Sequence, residues 1–274
     1  MNFPTSPTPP PPPSQYPAAV PFGDPGTPGP AGPGLSEPQR LVNTFIAPKK
    51  TFEDLKRNPS WWVPWLIVAL FTLAFGIVVV QKVDMERFSQ QQIDKSKFAQ
   101  RQMEQLTPEQ RAKNLSIRAT ITKVTFYIAP AFTLLGGLLI AAILMAVFNF
   151  MLGAEVSFSR ALAVTFYAGL PGIIRTALLI VSLLTASDAS TIDIAGNPMP
   201  TNPGFFMDPE GNKALYSLAS SLDIFLIWYV ILLGIGFATA SSNRKPSTST
   251  GVATMFVVYG ILVLIGMGLK VAFS

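Results

Sequence analysis

Five runs of this chain are so long and so apolar that the remainder of a 274-residue polypeptide could not cover them. They fall at about 61–81, 124–152, 161–186, 215–240 and 251–273. A helix rises 1.5 Å per residue, so roughly 20 apolar residues cross a hydrocarbon core of about 30 Å. Hydrocarbon offers no hydrogen bonds to a peptide group, and the backbone of each run must therefore be helical. Composition agrees: 49% of residues are apolar, 13% are charged and mean hydropathy is +0.41, whereas soluble domains carry about 25% charged residues. The expected fold is an all-α integral membrane protein, a bundle of about five transmembrane helices.

The flanks of the runs differ in kind. Residues 1–38 hold 14 of the 25 prolines, including the run Pro9 to Pro13, and read as a disordered Pro/Gly-rich tail. Residues 39–57 read as an interfacial amphipathic segment: Leu41, Val42, Phe45 and Ile46 share a helical face, Pro48 interrupts, and Thr51 with Asp54 has the spacing of a capping box. Trp61, Trp62 and Trp65 mark one end of the first span. Thr107-Pro108-Glu109-Gln110 has the form of a helix start. Lys49, Lys50, Lys56, Arg57, Arg160, Arg244 and Lys245 fall on one side of a five-span protein, and the acidic connection 187–214 falls on the other. The positive-inside rule then predicts a cytoplasmic N-terminus and an external C-terminus. Residues 82–121 oppose this with eight Lys/Arg against five acids on the outer side. Long connections follow the rule less strictly.

Chemistry is poorly provided for. The chain has no cysteine and no histidine, which removes thiolate sites, the commonest metal ligand and the commonest general base. The reading is a non-enzyme with no cofactor, metal or nucleic-acid site. Two charged residues sit well inside the apolar runs: Arg175 in the third and Asp223 in the fourth. Counting along unbroken helices puts both roughly 13–18 Å from the outer surface, where a lone charge costs several kcal/mol, so they are expected to pair. Small residues four apart, Gly137/Ala141, Ala142/Ala146, Ala168/Gly172 and Gly234/Ala238, predict close helix packing. Pro64, Pro130 and Pro171 predict kinks or helix starts.

Several of these residues form a pattern that resembles the Yip (Ypt/Rab-GTPase-interacting protein) domain family in its bacterial form. The elements are Pro48 with Phe52, Asn58-Pro59, Gly153 with Phe158, Tyr167 with Leu170-Pro171, and Asp223 with Phe225 and Trp228. The likeness covers about residues 39–274 and leaves the proline-rich tail as an extension. It implies five helices, a cytoplasmic N-terminal region and, for the bacterial form, residence in a bacterial cytoplasmic (inner) membrane, and in eukaryotic members it implies Rab-GTPase contacts. The Asp-Leu-Tyr-Gly-Pro signature of those members does not occur here. The expected role is a non-enzymatic protein that organises or scaffolds partners or lipid, with lipid and proteins met through the N-terminal region as partners and a homo-oligomer allowed. The alternative is a small-solute or ion permease using Arg175 and Asp223.

Overall fold

The computed structural model describes residues 34–209, 211–242 and 246–272, and every regular element among them is helical. The tail expected over 1–38 lies, through residue 33, outside the described residues. Ser36 already caps the first helix, α1 (Glu37–Ile46), in a capping box with Gln39. Ala47 then opens α2 (Pro48–Asp54) without a side-chain cap. The capping box expected at Thr51 and Asp54 does not form. Both residues lie inside α2, where packing claims their side chains: the Thr51 hydroxyl donates to the Arg40 carbonyl and Asp54 accepts from the Arg40 guanidinium.

The apolar stripe of 39–57 divides. Phe52 and Leu55 are fully buried and Leu41 and Phe45 pack against the same core, while Val42 and Ile46 face outward. Burial of the larger side chains on protein therefore fixes this segment, and only its rim is left for a lipid surface.

Among the described residues four helices are long and apolar enough to cross a membrane, and a bent pair brings the number to five if it forms one span. They are α3 (Trp62–Lys82), α6 (Pro108–Leu152), the α7–α8 pair (Phe158–Ala168 and Pro171–Thr185) and α11 (Thr248–Ala272), with α9 (Lys213–Ser221) bent by 56° from α10 (Ile224–Ala240). Short helices α4 (Met85–Asp94) and α5 (Lys97–Glu104) fill the connection before α6. Thr107 and Gln110 form the capping box that starts α6, and Pro130 sits within that helix without ending it. At 45 residues α6 is about 67 Å long, so its first turns project past the bundle and pack on α4.

α3 packs on α6 and α8, α6 on α7, α7 on α10, and α10 on α2 and α11. Close approach depends on glycine. A Cβ at Gly76 would run into the Phe126 carbonyl oxygen, one at Gly137 into the Phe166 ring, and Gly234 of α10 lies directly against Gly251 of α11. Gly137/Ala141 and Gly234/Ala238 are thus packing pairs, Ala142 and Ala146 are half-buried, and Ala168/Gly172 flank the break between α7 and α8. The main core joins Phe52, Phe148, Phe166, Tyr167 and Phe237.

The connections gather at two ends. Ser242 N donates to Ala154 O (2.9 Å) and Arg160 donates to the Ser242 hydroxyl (2.7 Å), so the 153–157 and 241–242 links meet at the α1–α2 end. Lys95 Nζ lies 2.7 Å from Asp193 Oδ1, which places α4–α5 with the acidic 187–212 connection at the other.

Candidate functional site

Two helix breaks create a recess at the acidic-loop end of the bundle. Pro171 has no amide, so Leu170 N turns back to Tyr167 O in a tighter three-residue step (3.2 Å), and α8 begins at Pro171. On the neighbouring span Leu222 leaves helical geometry and Asp223 caps α10. Asp223 Oδ1 accepts from Phe225 N (3.0 Å) and Leu226 N (3.2 Å), while Oδ2 accepts from the Thr201 hydroxyl. Ile224 N donates to Thr201 O (3.1 Å), which stitches the acidic connection to the break. From α11, Tyr259 donates its hydroxyl to Ser221 O.

The fourth span is therefore not the single helix its apolar run predicts. Asp223 does not hang from the middle of a straight helix; its carboxylate replaces the missing backbone partners of the α10 start. Arg175 lies ten residues before the end of α8 at Thr185, about 15 Å along its axis. Arg175 Nε stands 3.8 Å from Asp223 Oδ2, an ion-pair distance that leaves no hydrogen bond between them. The arginine side chain is 37% exposed and the aspartate 10%. Between them opens a cavity of about 530 Å³ lined by Gly169, Gly172, Asn197, Asn202 and Tyr229 in addition to the charged pair. Asn197 and Asn202 hold each other through reciprocal amide hydrogen bonds of 2.9 and 2.8 Å.

A second polar cluster, which the sequence reading did not single out, sits at the α1–α2 end. Arg40 is 3% exposed. Its Nε donates to Asp54 Oδ2 (2.7 Å) and Nη1 to Glu37 Oε1 (3.0 Å), and Tyr167 of α7 donates to Glu37 Oε2 (2.5 Å). Thr44 and Thr51 both donate to the Arg40 carbonyl (2.8 and 2.9 Å), and Leu35 N donates to Asp54 Oδ1 (3.1 Å). Burial pulls the Arg40 pKa down, but the Asp54 hydrogen bond and the Asp54 and Glu37 charges outweigh it and hold the group above its ordinary value. The local signal for this cluster was the Ser36–Gln39 capping box. The partners themselves lie 14 and 130 residues apart, and no short-range pattern announces them.

The remaining pattern residues occupy corners. Pro48 opens α2, Pro59 lies in the link before α3, and Gly153 ends α6 at φ +60°, a left-handed turn that glycine takes without strain. Phe158 opens α7 half out of the core, Phe225 is buried at the recess, and Trp228 meets Phe45 edge-on at 5.8 Å. The structure brings Phe52 and Tyr167 into one core and sets Arg175, Asp223 and Phe225 around one cavity; Pro59 and Phe158 join neither.

Helices of this length and apolarity, broken at two points around an embedded polar recess, define a multi-pass helical membrane protein. The family model described as the Yip1 domain matches residues 42–267, and the chain belongs to that family. Among curated proteins it is similar to "Membrane protein YknW" of Bacillus subtilis (strain 168), 25% identical over 237 residues that cover 85% of this chain and 90% of that protein. No solved structure matches it.

Proposed function

We propose that this chain is a non-enzymatic protein of the bacterial cytoplasmic membrane that organises protein partners or lipid. Its N-terminus and α1–α2 end face the cytoplasm, and its C-terminus faces outward. The observation that supports an organising role over a conducting one is the closed floor of the recess. Moving along α7 and α10 toward the α1–α2 end, the lining residues Gly169 and Tyr229 give way within a turn or two to Phe166, Leu232, Leu233 and Phe237, all buried. Gly236 leaves no room for even a methyl group beside Val164 and Phe52. In this arrangement the recess opens to one side and has a packed floor toward the α1–α2 end.

On this reading α1 and α2 are the partner-facing surface. The Arg40 cluster fixes them to the bundle, and Lys49 and Lys50 are exposed on α2. Site-specific photocrosslinking from Val42 and Ile46 in the native membrane should capture discrete neighbours, and Arg40→Ala should abolish the capture. Loss of no adduct in that variant would count against the role.

The recess itself favours a second reading, a small-solute or ion permease working through Arg175 and Asp223. The two readings part in proteoliposomes. Solute flux that collapses in Asp223→Ala would replace the organising role with transport.

A further inference from the structure

Two cavities adjoin at the start of α10. One is the polar recess described above. The other, of about 400 Å³, is almost wholly apolar and runs between α6, α10 and α11, walled by Leu144, Val230, Leu233, Met255 and Leu262. Leu226 and Tyr229 line both. Each volume lies within the roughly 300–1,000 Å³ of ordinary ligand sites. A single occupant of both must be amphipathic, with a polar end beside Arg175 and a long apolar chain in the slot.

The sign of the polar end follows from how the two charges are used. Asp223 turns one oxygen to the amides of Phe225 and Leu226 and the other to the Thr201 hydroxyl. Both of its oxygens are thus engaged by the helix start and the loop. Arg175 makes no hydrogen bond among the described residues, and more of its side chain is open to the cavity than of any charged group facing it. Asn197 and Asn202 bond each other, and among the residues lining the recess the cationic donor is the Arg175 guanidinium. Asp223 meets this guanidinium at 3.8 Å without a hydrogen bond, which leaves its planar fork free to match the oxygens of a phosphate.

We propose that recess and slot together form one site for a membrane phospholipid with an anionic headgroup. The phosphate lies against Arg175, and an acyl chain passes Leu226 and Tyr229 into the slot between α6, α10 and α11. This deepens the organising role proposed above. Solute transport would overturn that role and leave lipid retention intact, so the two fail separately.

Native mass spectrometry of the full chain in mild detergent tests the site, with phosphatidylglycerol and diacylglycerol of identical chains, the second lacking the phosphate, as probes. The parent protein should retain phosphatidylglycerol about tenfold more tightly, as one charge-assisted contact provides. Arg175→Gln should erase that preference. Gly172, which lines the recess, supplies a second variant: a Cβ added there meets no atom within 4 Å, so Gly172→Leu starts its side chain in open space and should lower retention of both lipids. Glycerol 3-phosphate, the headgroup without chains, should compete only weakly. Equal retention of the two lipids by the parent overturns the proposal, as does unchanged retention in both variants. Competition by glycerol 3-phosphate on equal terms would make the ligand a soluble phosphate ester and overturn the lipid assignment.

Discussion

The protein sets an arginine beside an aspartate at each end of its bundle, and the two pairs are built oppositely. At the α1–α2 end Arg40 is enclosed, with hydrogen bonds to Asp54 and Glu37, and Glu37 is held in turn by Tyr167. At the other end Arg175 stands 3.8 Å from Asp223, makes no hydrogen bond among the described residues and opens onto a cavity. The same two residue types thus yield a lock in one place and an open socket in the other. The difference lies in how many donors and acceptors the surroundings satisfy, because a buried charge is tolerated only to the extent that it is paired.

This contrast predicts a graded series of responses. Arg40→Ala should be the most damaging change, because it leaves the Asp54 and Glu37 carboxylates without their cation in a closed site. A loss of about 3–5 kcal/mol is expected, read as a drop in thermal unfolding temperature in detergent together with new protease cleavage between residues 34 and 60. A parent-like profile would dissolve the distinction between lock and socket. Asp223→Ala should cost less, about 1–2 kcal/mol, because it removes a helix cap and the Thr201 contact. Asp223→Asn keeps an oxygen for the cap and should recover much of that loss, which separates capping from charge pairing in the same melting experiment. If Asn is as damaging as Ala, the ion pair with Arg175 carries more weight than its geometry suggests.

Tyr167→Phe removes one hydrogen bond to a carboxylate that Arg40 still pairs. A loss of about 1 kcal/mol is expected, and a double-mutant cycle with Glu37→Gln should show the two effects to be coupled. Arg175→Ala should be milder still, under about 1 kcal/mol, since the side chain is part-exposed and Asp223 retains its other partners. The smallest response concerns acid. Asp84, capping α4, is held below the usual aspartate range by the Arg87 and Glu86 amides, and Asp188 by the Ser190 hydroxyl and amide. A lowered folded pKa gives stability that is present above the unfolded value near ~4 and is lost as pH falls through the folded value. Acidification should therefore fray the starts of α4 and of the turn at 189–191, seen as local loss of amide protection, and Asp84→Asn should remove the pH dependence at α4.

Much of the architecture could be read without coordinates because it rests on local properties. Run length and apolarity specify that a segment crosses a bilayer, and Thr107-Pro108 and Gly153 are helix-end chemistry that acts within a few residues. Arg175 and Asp223 stood out as the charged residues within apolar runs, and their closeness in space follows from the packing of α8 on α10. Less legible was the form of the fourth span. Its apolar run continues through Leu222, yet Asp223 competes for the amides of Phe225 and Leu226, and the chain bends 56° there. Thr51 and Asp54 misled for the related reason that a capping spacing is only an offer, and Arg40 made a better one.

What the sequence determined by itself is the class: too much contiguous apolar surface for water, hence helices across a membrane, in a pattern that identifies the family. What only the tertiary structure decided is where the few polar groups find partners. Glu37 meets Tyr167 across 130 residues, Lys95 meets Asp193 across 98, and Leu226 and Tyr229 join a polar recess to an apolar slot. Burial of a run is fixed by its own composition, but the satisfaction of a hydrogen bond depends on which distant segment packing brings alongside it.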